Sequence, residues 1–140
     1  MIDPTTAHDE IIAQLNTIQG IDVYRGQYVP GDAVPEQDAN GLFKPYATVV
    51  FGGNYQGDSR TIASLRYNTI RTTCTVYVVA PDDRLSVEFL SKVRDKLWGF
   101  TPTDSTPLDI YGGYDYVDSD LGVNRYVHAQ VFEFSTNMTY

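Results

Sequence analysis

A chain of 140 residues is one domain of ordinary size, long enough to bury roughly 68–70% of the surface its unfolded form exposes, so it needs no disulfide or metal staple. Its formal charge of −8, from 18 acids against 10 bases, excludes a grip on nucleic-acid phosphates, which depends on a basic surface and counterion release. The single cysteine, Cys74, cannot form an internal bridge and points to a reducing compartment. No run approaches the roughly 18 apolar residues of a membrane span, and the opening residues lack a leader's basic and apolar regions. The expectation is a protein made and used in solution.

The first predicted element is a short amphipathic helix. Asp3 followed by Pro4, or Thr6 with Asp9 three residues on, supplies its start, and Ile11, Ile12, Leu15 and Ile18 fall on one face before Gly20. Ile21, Val23 and the run to Val29 read as a strand interrupted at Gly26, and residues 30–41 (PGDAVPEQDANG) read as a polar surface loop. Residues 45–51 (PYATVVF) form a strand that is apolar on both faces, with Tyr46 and Val50 on one and Ala47, Val49 and Phe51 on the other. Residues 52–68 (GGNYQGDSRTIASLRYN) are too long for a tight turn, yet Ile62, Leu65 and Tyr67 need somewhere to go. They read as a protruding arm or long hairpin whose partners lie outside its own core.

Residues 70–98 organise the chain. β-branched and aromatic residues dominate 70–80 (IRTTCTVYVVA), and Pro81, with no N–H to give, ends that strand. A helix follows, with Asp82 or Asp83 as N-cap, an apolar stripe of Leu85, Phe89, Leu90, Val93 and Leu97 at spacings of three and four, and Gly99 at its close. So short a connection makes strand and helix pack on each other, since neither buries its apolar side alone. Residues 101–107 (TPTDSTP) read as a linker, 108–118 as a strand interrupted at Gly112 and Gly113, 118–124 as a turn and 125–137 (RYVHAQVFEFSTN) as the last strand. With no repeat or boundary, residues 1–140 form one domain. The expected fold is α+β: a mostly antiparallel or mixed sheet of about five strands, two helices packed on one side, and a long protruding loop or hairpin.

Charge is unevenly distributed along this chain. Before Ser59 eight acids face only Arg25 and Lys44, whereas residues 60–96 carry seven bases against Asp82, Asp83, Glu88 and Asp95. Separated blocks of this kind complement each other between copies of one chain. Eleven tyrosines point the same way, because a phenol offers a large apolar ring and a hydroxyl that stays hydrogen-bonded at a covered surface.

No motif here carries catalysis. Residues 52–59 (GGNYQGDS) have the glycine spacing of a phosphate-binding loop, but Asp58 stands where lysine must neutralise phosphate. His8 and His128 lie too far apart in sequence to form a ligand pair, and Asp115, Asp118 and Asp120 lack the glycine turn and distal glutamate of a calcium loop. His128 alternates with Tyr126 and Gln130, which reads as a partly exposed or interface row. The expectation is a binding protein, not an enzyme, with no cofactor and no metal.

The order of segments resembles a known family. The run PYATVVFGG (45–53), then TCTVYVVAPDD leading into LSVEFLSKVRDKLWGFTPTD (73–104), and the closing RYVHAQVFEFSTN (125–137) resemble the tail terminator proteins of long-tailed, siphovirus-type bacteriophages. The resemblance spans essentially the whole chain and rests on fold-pattern motifs. It implies a virion subunit at the head-tail junction, present in the host cytoplasm during assembly. Six copies would form a ring on the last ring of the tail tube, stop its growth and present a surface to the head connector. DNA would pass through the lumen without specific binding. The partners implied are further copies of the chain, the tail tube protein and the connector protein; the alternative is another ring-forming connector or tail tube subunit. On this reading the arm residues Tyr55, Arg60, Ile62, Leu65, Arg66 and Tyr67 contact neighbouring copies or the tube, with Tyr111, Tyr114 and Tyr116 as a second contact set. Leu65→Asp is then expected to leave the monomer folded and to prevent capping.

Overall fold

The computed structural model describes residues 4–26, 43–62, 65–118 and 125–139, with side chains for 5–26, 43–52, 71–117 and 125–136. The elements run α1 (Pro4–Leu15), β1 (Asp22–Arg25), β2 (Tyr46–Ile62), β3 (Leu65–Ala80), α2 (Asp83–Leu97), β4 (Asp109–Asp118) and β5 (Arg125–Thr139). The strands form one open five-stranded sheet in the order β1-β2-β3-β5-β4. It is mixed: β1 runs parallel to β2, and the other three pairings are antiparallel. The chain is therefore an α+β protein, with the strand predicted at residues 70–80 at the centre of its sheet.

Period-two alternation decides what each face buries. Ala47 and Val49 of β2, Cys74, Val76 and Val78 of β3, and Phe132 and Phe134 of β5 point to one side. There they join Ile11 and Leu15 of α1 and Phe89, Leu90, Val93 and Leu97 of α2 in one core. The stripe of α2 lands as its spacing predicts, with Asp82 as the N-cap accepting from the Arg84 N–H. Gly99, at φ +81°, turns the chain out of the helix in a conformation that other residues adopt at a cost. Ser86, absent from the predicted stripe, is also fully buried and donates from Oγ to the Val78 carbonyl at 3.0 Å. On the other side Phe43, Tyr46, Val79 and Val127 make a second, smaller cluster edged by Tyr77.

Several expectations change. Of the two forms expected for residues 52–68, an arm or a long hairpin, the hairpin is what forms: β2 continues to Ile62 and β3 begins at Leu65, paired from Ile62↔Leu65 back through register shifts at Gly52/Tyr55 and Gln56/Ser59. β5 flanks the β3 strand of this hairpin as far as Tyr67↔Thr139. The glycines read as turn punctuation are accommodated by shifts in pairing. Ile18 lies beyond the end of α1, where its N–H donates to the Leu15 carbonyl, and it is still buried. The strand predicted from Ile21 is four residues long, Asp22–Arg25. Its extension to Val29, the loop at 30–41 and the turn at 119–124 lie outside the described residues.

The linker at 101–107 is tied down at both ends. The Thr103 N–H and Oγ1 donate to the Glu10 carboxylate at 2.7 and 2.6 Å, and Ser105 forms a bridge with Thr136 on β5. The two Thr103 bonds hold the Glu10 carboxyl below its ordinary value.

Candidate functional site

β4 (DIYGGYDYVD) is a ten-residue strand at the edge of the sheet. Edge strands exposed to water are usually blunted by charge, proline or a bulge; this one carries three aspartates and a bulge, and with them three tyrosines. Among the described residues eight large hydrophobic side chains are exposed, and seven of them are on β4 or on α2 beside it: Ile110, Tyr111, Tyr114, Tyr116 and Val117, with Val87 and Trp98. Scattered exposed apolar residues carry no message, whereas a contiguous group marks a contact surface.

A bulge splits this group between the two faces. Ile110 pairs with Phe132 and Gly112 with Val131, leaving Tyr111 as the extra residue, 70% exposed. Ile110, Gly113, Asp115 and Val117 then share the helix side, while Tyr114 and Tyr116 stand on the opposite face of the sheet.

On that opposite face the Tyr114 hydroxyl donates to the Tyr77 hydroxyl at 2.6 Å, with the two rings edge to face at 5.9 Å. Tyr116 stacks on Tyr114 at 6.2 Å, and across the sheet Tyr24 meets Tyr46 at 6.1 Å. Withdrawal from water, then the bond to Tyr77 and the neighbouring phenols, push the Tyr114 hydroxyl up to about 12. The Tyr114 phenol is therefore a neutral hydrogen-bonding group at physiological pH, suited to contact.

On the helix side a cleft of about 380 Å³ separates α2 from β4, lined among others by Leu90, Arg94, Ile110, Asp115, His128 and Gln130. The Arg94 Nε donates to Gln130 Oε1 at 2.8 Å, and the Gln130 Nε2 donates to the Gly112 carbonyl at the bulge. His128 Nε2 lies 2.8 Å from an Asp83 carboxylate oxygen. The row of Tyr126, His128 and Gln130, read as partly exposed or an interface, lies on the α2 side; Tyr126 and His128 are half-buried, His128 engaged by the first turn of the helix, and Gln130 is buried. Asp83, Val87, Leu90, Arg94 and Trp98 follow at helical spacing, so they form one flank of α2 along the cleft.

Among the described residues no three His, Cys, Asp or Glu side chains are grouped to hold a metal ion. Burial pushes the Cys74 thiol up to about 12, far from the thiolate a nucleophile requires.

The predicted contact residues divide accordingly. Tyr111, Tyr114 and Tyr116 are brought together on β4, exposed. Of the hairpin set, the backbone pairs Tyr55 with Arg71, Arg60 with Tyr67, and Ile62 with Leu65, and Arg66 lies opposite Thr61; their side chains lie outside the described residues. The two sets stay apart along β5, because its residues 125–133 pair with β4 whereas Thr136 to Thr139 pair with the hairpin end of β3. Sequence reasoning missed Val87, Trp98, Ile110 and Val117. The signal was present in the spacing of Val87 and Trp98 on the flank of the core stripe. For Val117 it was its alternation with Tyr116; Ile110 gave none, because only the bulge turns it to the side opposite Tyr114 and Tyr116.

Compared with known proteins, the chain matches no protein-family model and no curated protein.

Proposed function

We propose that this protein is a structural subunit of a phage virion that caps the tail tube as a hexameric ring, stops its polymerisation and forms the surface that joins tail to head connector. The observation that carries the reading is the edge strand β4, with five large apolar side chains exposed. Its tyrosine face is the surface to cover. The α+β fold and the order of segments that resembles the tail terminators support the same reading. A closed ring uses heterologous contacts, in which one patch meets a different patch on the neighbour. Two separate sets of contact residues, one on β4 and one at the hairpin, supply such patches. The net charge of −8 suits a channel that DNA crosses without being held, since a basic lining would retain the strand.

Negative-stain images of the protein alone and mixed with its tube subunit test the proposal. Discrete rings, and tubes ended by one such ring, are expected. Open-ended cylinders formed by the protein alone would instead make it a tube subunit, and a lumen lined by Arg60, Arg66 and Arg71 would contradict the charge argument. A protein that stays monomeric and leaves tube growth unaltered would end the proposal.

A further inference from the structure

The cleft on the helix side of β4 holds two charges that lack charged partners among the described residues. On its α2 wall the Arg94 guanidinium is oriented by its bond to Gln130, itself 3% exposed, and no carboxylate among the described residues lies within ion-pair distance of it. On the β4 wall Asp115 is exposed and has neither a hydrogen-bond nor an ion-pair partner among the described residues. His128, which also lines the cleft, is bonded to Asp83 of the first turn of α2. Val87 of α2, Trp98 at the C-cap of that helix, and Ile110 and Val117 of β4 stand exposed. Covering them stabilises a contact, and the two charges select what makes it.

We infer that this cleft is a twofold contact between two copies of the chain, in which Arg94 of each copy faces Asp115 of the other. In an isologous contact residue i meets j while j meets i, so a patch with one cationic and one anionic wall becomes its own complement when turned through 180°. The turn sets each α2 wall against the opposing β4 wall, and the apolar side chains close around two charge pairs. An acidic peptide in the cleft would be repelled by Asp115 and a basic one by Arg94. A partner must offer both signs at this spacing, and a second copy does so by construction. The contact uses the helix side of β4 and leaves the Tyr114–Tyr116 face free, so it goes beyond the ring reading and does not rest on it.

Sedimentation of the full chain with reciprocal charge changes tests the contact. Arg94→Asp and Asp115→Arg are each expected to weaken self-association by more than about tenfold, because like charges then face each other. Mixed in equal amounts the two variants are expected to associate again, since each supplies the sign the other lacks. Circular dichroism and thermal melts establish that each variant is folded. Arg94 also holds Gln130, so if Arg94→Asp does not fold, Asp115→Arg, which breaks no bond within its own chain, decides alone. Wild-type protein that is monomeric at every concentration, Asp115→Arg that associates as wild type, or folded variants that stay apart on mixing would each overturn the contact. Rings on tube ends without a dimer in solution would keep the ring reading and remove this one; dimers without rings would do the reverse.

Discussion

A methyl group built on Gly113 would sit 2.7 Å from the Ala129 carbonyl oxygen, whereas one built on the adjacent Gly112 meets nothing within 4 Å. Backbone oxygen cannot swing aside as a side-chain end can, so β4 must shift to admit it. Gly113→Ala is expected to lower stability by about 1–3 kcal/mol, the usual cost of overpacking, and Gly112→Ala to leave it nearly unchanged. Thermal melts of the two variants check this, and equal effects would mean that β4 approaches β5 less closely at Gly113. Cys74 governs the alkaline side. Burial raises its thiol from 9.0 to about 12, so the folded protein keeps a proton that the unfolded chain releases. Its contribution is complete below pH 9.0 and is lost as pH rises toward about 12. Tyr114, raised from 10.0 to about 12, acts in the same direction, but its side chain is 48% exposed and solvent screening leaves Cys74 the larger effect. Denaturant melts from pH 7 upward are expected to show stability falling from pH 9.0, and Cys74→Ala to move the onset toward 10.0. A wild-type profile that stays flat past the Tyr114 onset would refute the assignment.

Among the elements, α2 was the most legible in sequence, because its cap, stripe and closing glycine agree locally and nothing distant is needed to place them. Asp82→Ala removes the acceptor for the Arg84 N–H at the first turn and is expected to cost about 1 kcal/mol, measured as a lower denaturation midpoint; an unchanged midpoint would mean that water caps the helix equally well. The second half of β2 was illegible for the converse reason. Gly52, Gly53, Asn54, Gly57 and Asp58 are poor strand formers taken singly; the last four fall in the two register shifts, and it is the pairing of Gly52, Tyr55, Gln56 and Ser59 with β3 on either side of them that carries the strand through. Residues 101–107 form the linker that their prolines predict, but nothing in them signals that Glu10, far away on α1, will accept two bonds from Thr103. That clip has an acid signature. The Glu10 carboxyl is held below its ordinary value of 4.5, so its contribution is present above that value and lost as pH falls through the lowered one. Glu10→Gln is expected to reduce the stability lost between neutral and acidic pH, and an identical acid profile would place the clip outside the folding balance.

For the whole molecule the question is what covers β4. Composition signalled an excess of tyrosine, and hydrophobic patterning placed the strand, but exposure depends on strand order, which sequence left open: the same residues would be core had β4 lain inside the sheet. Tyr111 isolates the assembly role from folding. It is the extra residue of the bulge and 70% exposed, and it belongs to neither core cluster. Tyr114, by contrast, bonds Tyr77, so changing it would confuse the two roles. Tyr111→Asp is expected to shift stability by no more than about 0.5 kcal/mol, as surface changes generally do. In a covered contact the same change places an uncompensated charge where an aromatic ring was packed, beside the acids of a strand that has no base to receive it. The expected outcome is an unchanged melting temperature with loss of ring formation and tube capping in negative-stain images. Capping at wild-type efficiency by this variant would show that the tip of the bulge stays in water, and that the covered surface must be sought at the hairpin.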